Sequence, residues 1–111
     1  MEEAQRRIDK WISNNNINAT LDLDNLNLTE LPELPSNLKL LDCCNNRLTQ
    51  LPLSLPSGLK KLYCSNNQLT KLPPLPQGLT ELYCNGNRLT RLPLLPSNLK
   101  KLYCFNNQLM Y

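Results

Sequence analysis

Leu59-Lys60-Lys61-Leu62-Tyr63-Cys64-Ser65-Asn66-Asn67-Gln68-Leu69-Thr70-Lys71-Leu72-Pro73 decides the fold of this chain. The pattern returns twenty residues later as Leu79-Thr80-Glu81-Leu82-Tyr83-Cys84-Asn85-Gly86-Asn87-Arg88-Leu89-Thr90-Arg91-Leu92-Pro93. It returns again, cut short, from Leu99 to Leu109, and an earlier copy runs from Leu38 to Pro52. Every copy reads Leu-x-x-Leu-x-Cys-x-x-Asn-x-Leu. A fixed period of this length implies a tandem array, in which each unit buries its apolar face only against its neighbours. Ile17 to Leu31 is a degenerate first unit. Its Leu21, Leu23, Leu28 and Leu31 stand twenty residues before Leu41, Cys43, Leu48 and Leu51, and Leu26 takes the slot that Asn fills later.

The bulk composition agrees with an array. Leucine supplies 27 of 111 residues while aromatics make up only 5%, so one small hydrophobe recurs at fixed slots. The net charge of +3 is too weak to imply nucleic acid by itself. No apolar run approaches the roughly 20 residues that span a membrane. The start, Met1-Glu2-Glu3-Ala4-Gln5-Arg6-Arg7, lacks the apolar core of a secretory signal. Cys43, Cys64, Cys84 and Cys104 share one inward slot, where cysteine serves as a small hydrophobe. In-register parallel strands hold their Cβ atoms about 4.8 Å apart, wider than the roughly 3.8 Å of a disulfide. Free thiols and a reducing, cytoplasmic compartment are therefore expected.

Within each unit, the Leu-x-Cys alternation reads as a short strand with its leucine and cysteine turned inward. The asparagines Asn46, Asn67, Asn87 and Asn107 follow it. Their amides can donate and accept where the chain leaves the strand, so this column reads as structural. The connecting segments, such as Leu72-Pro73-Pro74-Leu75-Pro76 and Leu92-Pro93-Leu94-Leu95-Pro96, carry prolines that exclude a helix and favour extended chain. The segment Leu51 to Pro56 holds one extra residue and makes the single 21-residue step.

Ahead of the repeats, Glu2 to about Ser13 reads as an amphipathic helix with Ala4, Ile8, Trp11 and Ile12 on one face. Asn14-Asn15-Asn16 ends it, since asparagine tolerates left-handed backbone. A helix this short needs a packing partner, and the exposed end of the first repeat is the nearest. The expected organisation is a helical cap over residues 1–16 and a solenoid over 17–111. The solenoid has about five repeats, the last truncated. Parallel strands form its concave face and extended polyproline-like segments its convex face.

Alternation also assigns the outward residues of the concave face. One column is Thr20, Leu40, Lys61, Glu81, Lys101. The second is Asp22, Asp42, Tyr63, Tyr83, Tyr103, and the third is Asp24, Cys44, Ser65, Asn85, Phe105. The face grades from acidic to aromatic. Tyrosine and phenylalanine in exposed register favour an interface, though cross-strand stacking alone also stabilises a sheet. Cys44 is the one cysteine expected outside, and its acidic neighbours argue against a reactive thiolate.

No catalytic constellation is evident. There is no histidine and no glycine-rich phosphate loop. A straight column of cysteines twenty residues apart does not converge as a tetrahedral metal site requires. Neither an enzyme, a cofactor nor a metal site is expected.

The unit Leu-x-x-Leu-x-Cys-x-x-Asn-x-Leu-Thr-x-Leu-Pro-x-Leu-Pro resembles the short bacterial-type leucine-rich repeat of secreted effectors of the IpaH, SspH and YopM kind. The Trp11 helix followed by Leu21-Asp22-Leu23-Asp24-Asn25-Leu26-Asn27-Leu28-Thr29-Glu30-Leu31-Pro32 resembles the start of their repeat domains. The resemblance implies an α/β-type leucine-rich repeat fold and recognition of a protein partner, with the host cytoplasm as a setting if the chain is an effector or viral protein. Some members carry a ubiquitin ligase domain whose nucleophile lies in a Cys-x-Asp motif. No cysteine here is followed two residues later by aspartate, so that activity does not carry over. The residues expected to meet a partner are Lys61, Tyr63, Glu81, Tyr83, Lys101, Tyr103 and Phe105. Two alternatives stand beside this. One is the substrate-recognition fragment of such a ligase. The other is a self-assembling array, a homo-oligomer joined through Leu102, Cys104 and Leu109 at an uncapped C-terminal end.

Overall fold

The structure, a computed structural model, describes residues 2–110. Met1 of the expected cap and Tyr111 of the expected solenoid lie outside the described residues. One helix, α1 (Glu2–Asn14), precedes five short strands: β1 (Leu21–Asp22), β2 (Leu40–Asp42), β3 (Lys61–Tyr63), β4 (Glu81–Tyr83) and β5 (Lys101–Tyr103). They form one parallel sheet in sequence order. Each strand is followed by a loop that returns the chain to the start of the next, which makes an elongated array of 44 × 29 × 20 Å.

The core is a stack of identical layers. Leu41, Leu62 and Leu82 face one another across adjoining strands and are fully buried. Cys43, Cys64 and Cys84 are equally sealed two residues on. The strands are short, but the parallel ladder continues past them: the amides of Cys43, Cys64 and Cys84 donate to the carbonyls of Tyr63, Tyr83 and Tyr103 at 2.7–2.8 Å. The asparagine column then takes over the backbone groups the ladder releases. Nδ2 of Asn67 donates to the carbonyl of Cys43 in the preceding repeat at 3.1 Å and to Cys64 in its own at 3.2 Å, while Oδ1 accepts from the amide of Leu48 at 2.9 Å. Asn46, Asn87 and Asn107 repeat this pattern. A buried amide so engaged ties two repeats together and leaves no polar group stranded.

One backbone requirement was not foreseen. The residue before each ladder asparagine adopts left-handed backbone: Asn45, Asn66 and Asn106 at φ 58°, 57° and 55°, and Gly86 at 70°. Asparagine and glycine are the residues that take this conformation at least cost. The doublet Asn-Asn, replaced once by Gly86-Asn87, is its sequence signal.

The proline-rich segments are free of helix, as expected, and each closes on a tight turn. The amides of Leu38, Leu59, Leu79 and Leu99 donate to the carbonyls of Pro35, Pro56, Pro76 and Pro96 at 3.1–3.2 Å.

The helix packs on β1 through Ala4, Ile8 and Trp11. The Trp11 indole N–H donates to the carbonyl of Ala19 at 2.9 Å, and Nη1 of Arg7 donates to that of Asp22 at 3.1 Å. Leu21 and Leu23 are thereby sealed. Ile12 departs from expectation: it is 55% exposed, because it lies about 40° of helical rotation past Ile8, on the side of the stripe away from Trp11. Asn15 ends the helix with φ of 54°.

Candidate functional site

The outward face of the sheet brings the expected site residues into rows. Leu40, Lys61, Glu81 and Lys101 align, and Asp22, Asp42, Tyr63, Tyr83 and Tyr103 form the adjoining row. β1 begins only at Leu21, so the row expected to start at Thr20 is in paired register from Leu40. The three tyrosine rings stack along the array, with centroids 4.4 Å apart in both pairs and interplanar angles of 24° and 16°. Phe105 tilts against Tyr103 at 6.4 Å.

This stack divides the expected residues into two kinds. Tyr63 and Tyr83 are half-buried, and their ring faces are largely spent on each other. The Tyr63 hydroxyl donates to Oε1 of Glu81 at 2.7 Å, and Nζ of Lys61 lies 3.4 Å from Oε2. The Tyr63 hydroxyl bond is the main reason the Glu81 carboxyl is held below its usual range, with Lys61 and Lys101 adding to it. Burial, helped by Glu81, pushes the Tyr63 hydroxyl up. These groups are already satisfied. Tyr103 and Phe105, by contrast, are 46% and 58% exposed. Lys101 beside them is exposed and lies in no salt bridge among the described residues.

The third row corrects two expectations. Cys44 is half-buried rather than exposed. Burial first, and Asp42 second, push its thiol up to about 12, which keeps it protonated and unreactive. Ser65 is buried although it points outward, because its hydroxyl donates to Oδ1 of Asn85 at 2.6 Å and the flanking repeats cover it.

At the other end, Asp22, Asp24 and Asp42 bring carboxylate oxygens within 4.8 Å of one another. Oδ1 of Asp22 and of Asp42 each cap the amide two residues on, at 3.0 Å. Arg7 stands beside them, 3.8 Å from Asp22. The hydrogen bond between Asp22 and Asp24 separates their titrations. Asp22 is lowered, while Asp24 is raised to about 6 by that bond first, then by burial and by the charges of Asp22 and Asp42. The sequence showed the acidic residues, but only the register brings three carboxylates together.

Comparison with known proteins agrees with this architecture. A family model described as leucine rich repeats in two copies matches residues 36–77. No curated protein sequence matches the chain. Among solved structures, a Shigella effector leucine-rich repeat domain superposes with a TM-score of 0.94 at 40% identity, over 99% of this chain and 49% of that one. YopM from Yersinia pestis, a leucine-rich effector protein, gives 0.82 at 36% identity over 97% and 36%. YopM from Yersinia enterocolitica gives 0.76 at 35% identity over 99% and 29%. The chain thus spans about half the length of the Shigella chain and about a third of the Yersinia chains. Among the described residues, no helix is long and apolar enough to cross a membrane. Repeat domains of this kind are in general non-catalytic modules for protein interaction. The chain is a leucine-rich repeat protein, similar in sequence and fold to the repeat domains of these bacterial effectors.

Proposed function

We propose that this chain recognises a partner protein through the outward, concave face of its sheet, using Lys61, Tyr63, Glu81, Tyr83, Lys101, Tyr103 and Phe105. The observation that carries this reading is the continuous row of stacked Tyr63, Tyr83 and Tyr103 with Phe105 on the outward face of the sheet, beside Lys101. Rigid aromatics with a neighbouring cation make good anchors, because little side-chain entropy is lost on binding. Tyr63, Tyr83, Glu81 and Lys61 act as the platform that fixes Tyr103. Five free thiols support a reducing setting for this work.

Capture by the immobilised chain with paired variants tests the reading. Tyr103→Ala with Phe105→Ala removes the proposed anchors. Leu53→Ser with Leu94→Ser alters the convex side, where these leucines are 84% and 95% exposed. The reading expects the first pair to abolish capture of a specific protein and the second to leave it intact. The reverse pattern overturns it.

A further inference from the structure

Resting on that reading, we infer that the occupant of the face is an extended polypeptide segment of the partner, running across the strands. It carries a basic residue at the Asp22–Asp42 end and an aromatic residue next to an acidic one at the Tyr103–Lys101 end. Three features of the face lead to this chemistry.

The first is polarity. The row Asp22, Asp42, Tyr63, Tyr83, Tyr103 is a single line of side chains in paired register, acidic at one end and aromatic at the other. The middle is neutralised internally, because Glu81 is engaged by both Lys61 and Tyr63. Among the described residues of these rows, charge in excess of its partners lies at the ends. At the first, three carboxylates stand near one arginine, which bridges Asp22 at 3.8 Å and is already bound to Glu3 at 3.0 Å, and Lys101 stands two residues from Tyr103 at the second. A partner matched to this surface has the opposite polarity.

The second is length. Asp22 and Tyr103 are separated by four strand steps, about 19 Å at roughly 4.8 Å per step. An extended chain advances about 3.3 Å per residue, so the basic and aromatic residues stand about six positions apart.

The third is the absence of a backbone template. Between neighbouring strands the sheet's N–H and C=O groups are spent on each other, so a segment crossing the outward face is oriented by side chains. The same features disfavour a nucleic-acid strand. The faces of Tyr63 and Tyr83 are already stacked, and the carboxylate end repels phosphate.

Fluorescence anisotropy of labelled synthetic peptides on the full chain tests this. The matched probe is Arg-Ser-Thr-Ser-Thr-Ser-Phe-Glu, blocked at both ends. Its control, Glu-Ser-Thr-Ser-Thr-Ser-Phe-Arg, keeps the composition but sets the aromatic beside the cation, so it cannot serve both ends at once. The matched peptide should bind at least about tenfold tighter than the control. Lys101→Glu, at an exposed position, should cost a comparable factor, and changing the terminal Glu of the peptide to Lys should restore it. Asp42→Asn keeps the oxygen that caps Cys44 while removing charge, and should also weaken the matched peptide. Circular dichroism melts of both variants show whether they remain folded.

Equal affinity for the two peptides, no binding of either, or tighter binding of a single-stranded oligonucleotide overturns the inference. The capture experiment separates the two levels. Capture lost with Tyr103 and Phe105 while both peptides fail removes the extended segment and leaves the recognition face. Capture indifferent to those residues removes the face, and the segment with it.

Discussion

Lys61-Leu62-Tyr63-Cys64 and Lys101-Leu102-Tyr103-Cys104 are the same four residues in the same fold, twice. In β3, Leu62 and Cys64 are fully buried and Tyr63 is half-buried. In β5, Leu102 and Cys104 are only half-buried and Tyr103 is exposed. Sequence is identical, so the difference belongs to position: β3 lies between β2 and β4, whereas among the described residues β5 pairs with β4 alone. In an array, burial is conferred by neighbours rather than by the unit itself. The same tetrapeptide is therefore sealed where two strands flank it and more open where one does.

The largest test of this contrast removes the central leucine. Leu62→Ala should cost about 2–5 kcal/mol, in the range for a sealed core leucine, and Leu102→Ala less than half of that. Urea denaturation of both variants measures it. Equal losses would mean that position does not set burial energy. The ladder gives a smaller version of the same contrast. Asn67→Ala strands buried carbonyls of two repeats and the Leu48 amide, at about 1–3 kcal/mol. Asn107→Ala, whose neighbourhood is only part-buried, should cost less in the same assay. Next comes Gly86→Ala. Its φ of 70° is left-handed and a Cβ there would meet the Asn66 side chain, so a loss of roughly 1–2 kcal/mol in melting or urea experiments is expected.

The smallest expected effect concerns the first two strands and depends on pH. Asp24 faces Asp22 and Asp42, with Arg7 opposing them, and its folded carboxyl titrates near 6, above the ordinary 3.8. The folded state therefore binds its proton more tightly than the unfolded state. The contribution of Asp24 to stability falls as pH rises from about 4 through 6, because the unfolded chain releases that proton first. Asp24→Asn should raise the melting temperature at pH 7 and leave it nearly unchanged at pH 4. A gain of equal size at both pH values would show that charge is not its origin.

The repeat and its periodic leucines were legible from sequence because a fixed period admits few packings. Register followed directly, since each Leu-x-Cys had to meet its counterpart in the next unit. The cap was legible through Ala4, Ile8 and Trp11, but Ile12 was not, because a helix stripe has a width that spacing alone does not give. The rows from Leu40 to Lys101 and from Asp22 to Tyr103 pair as alternation implies. What each row member does was not legible. Glu81 is spent on Tyr63 and Lys61, Ser65 is covered, and Cys44 is half-buried. Those outcomes depend on side-chain contacts between repeats, which the pattern of one unit does not encode. The left-handed slot at Asn66 and Gly86 was missed, although an asparagine that glycine once replaces is its signal.

The most direct test of the recognition face is site-specific photo-crosslinking. A photoreactive residue is placed at Phe105 in one protein and at Leu94 in another, and the adducts of each are compared by mass spectrometry. One recurrent protein adduct is expected from position 105, lost when Tyr103→Ala is added, and none of that mass from position 94. The same adduct from Leu94, with nothing from Phe105, would place recognition on the convex side and contradict this expectation.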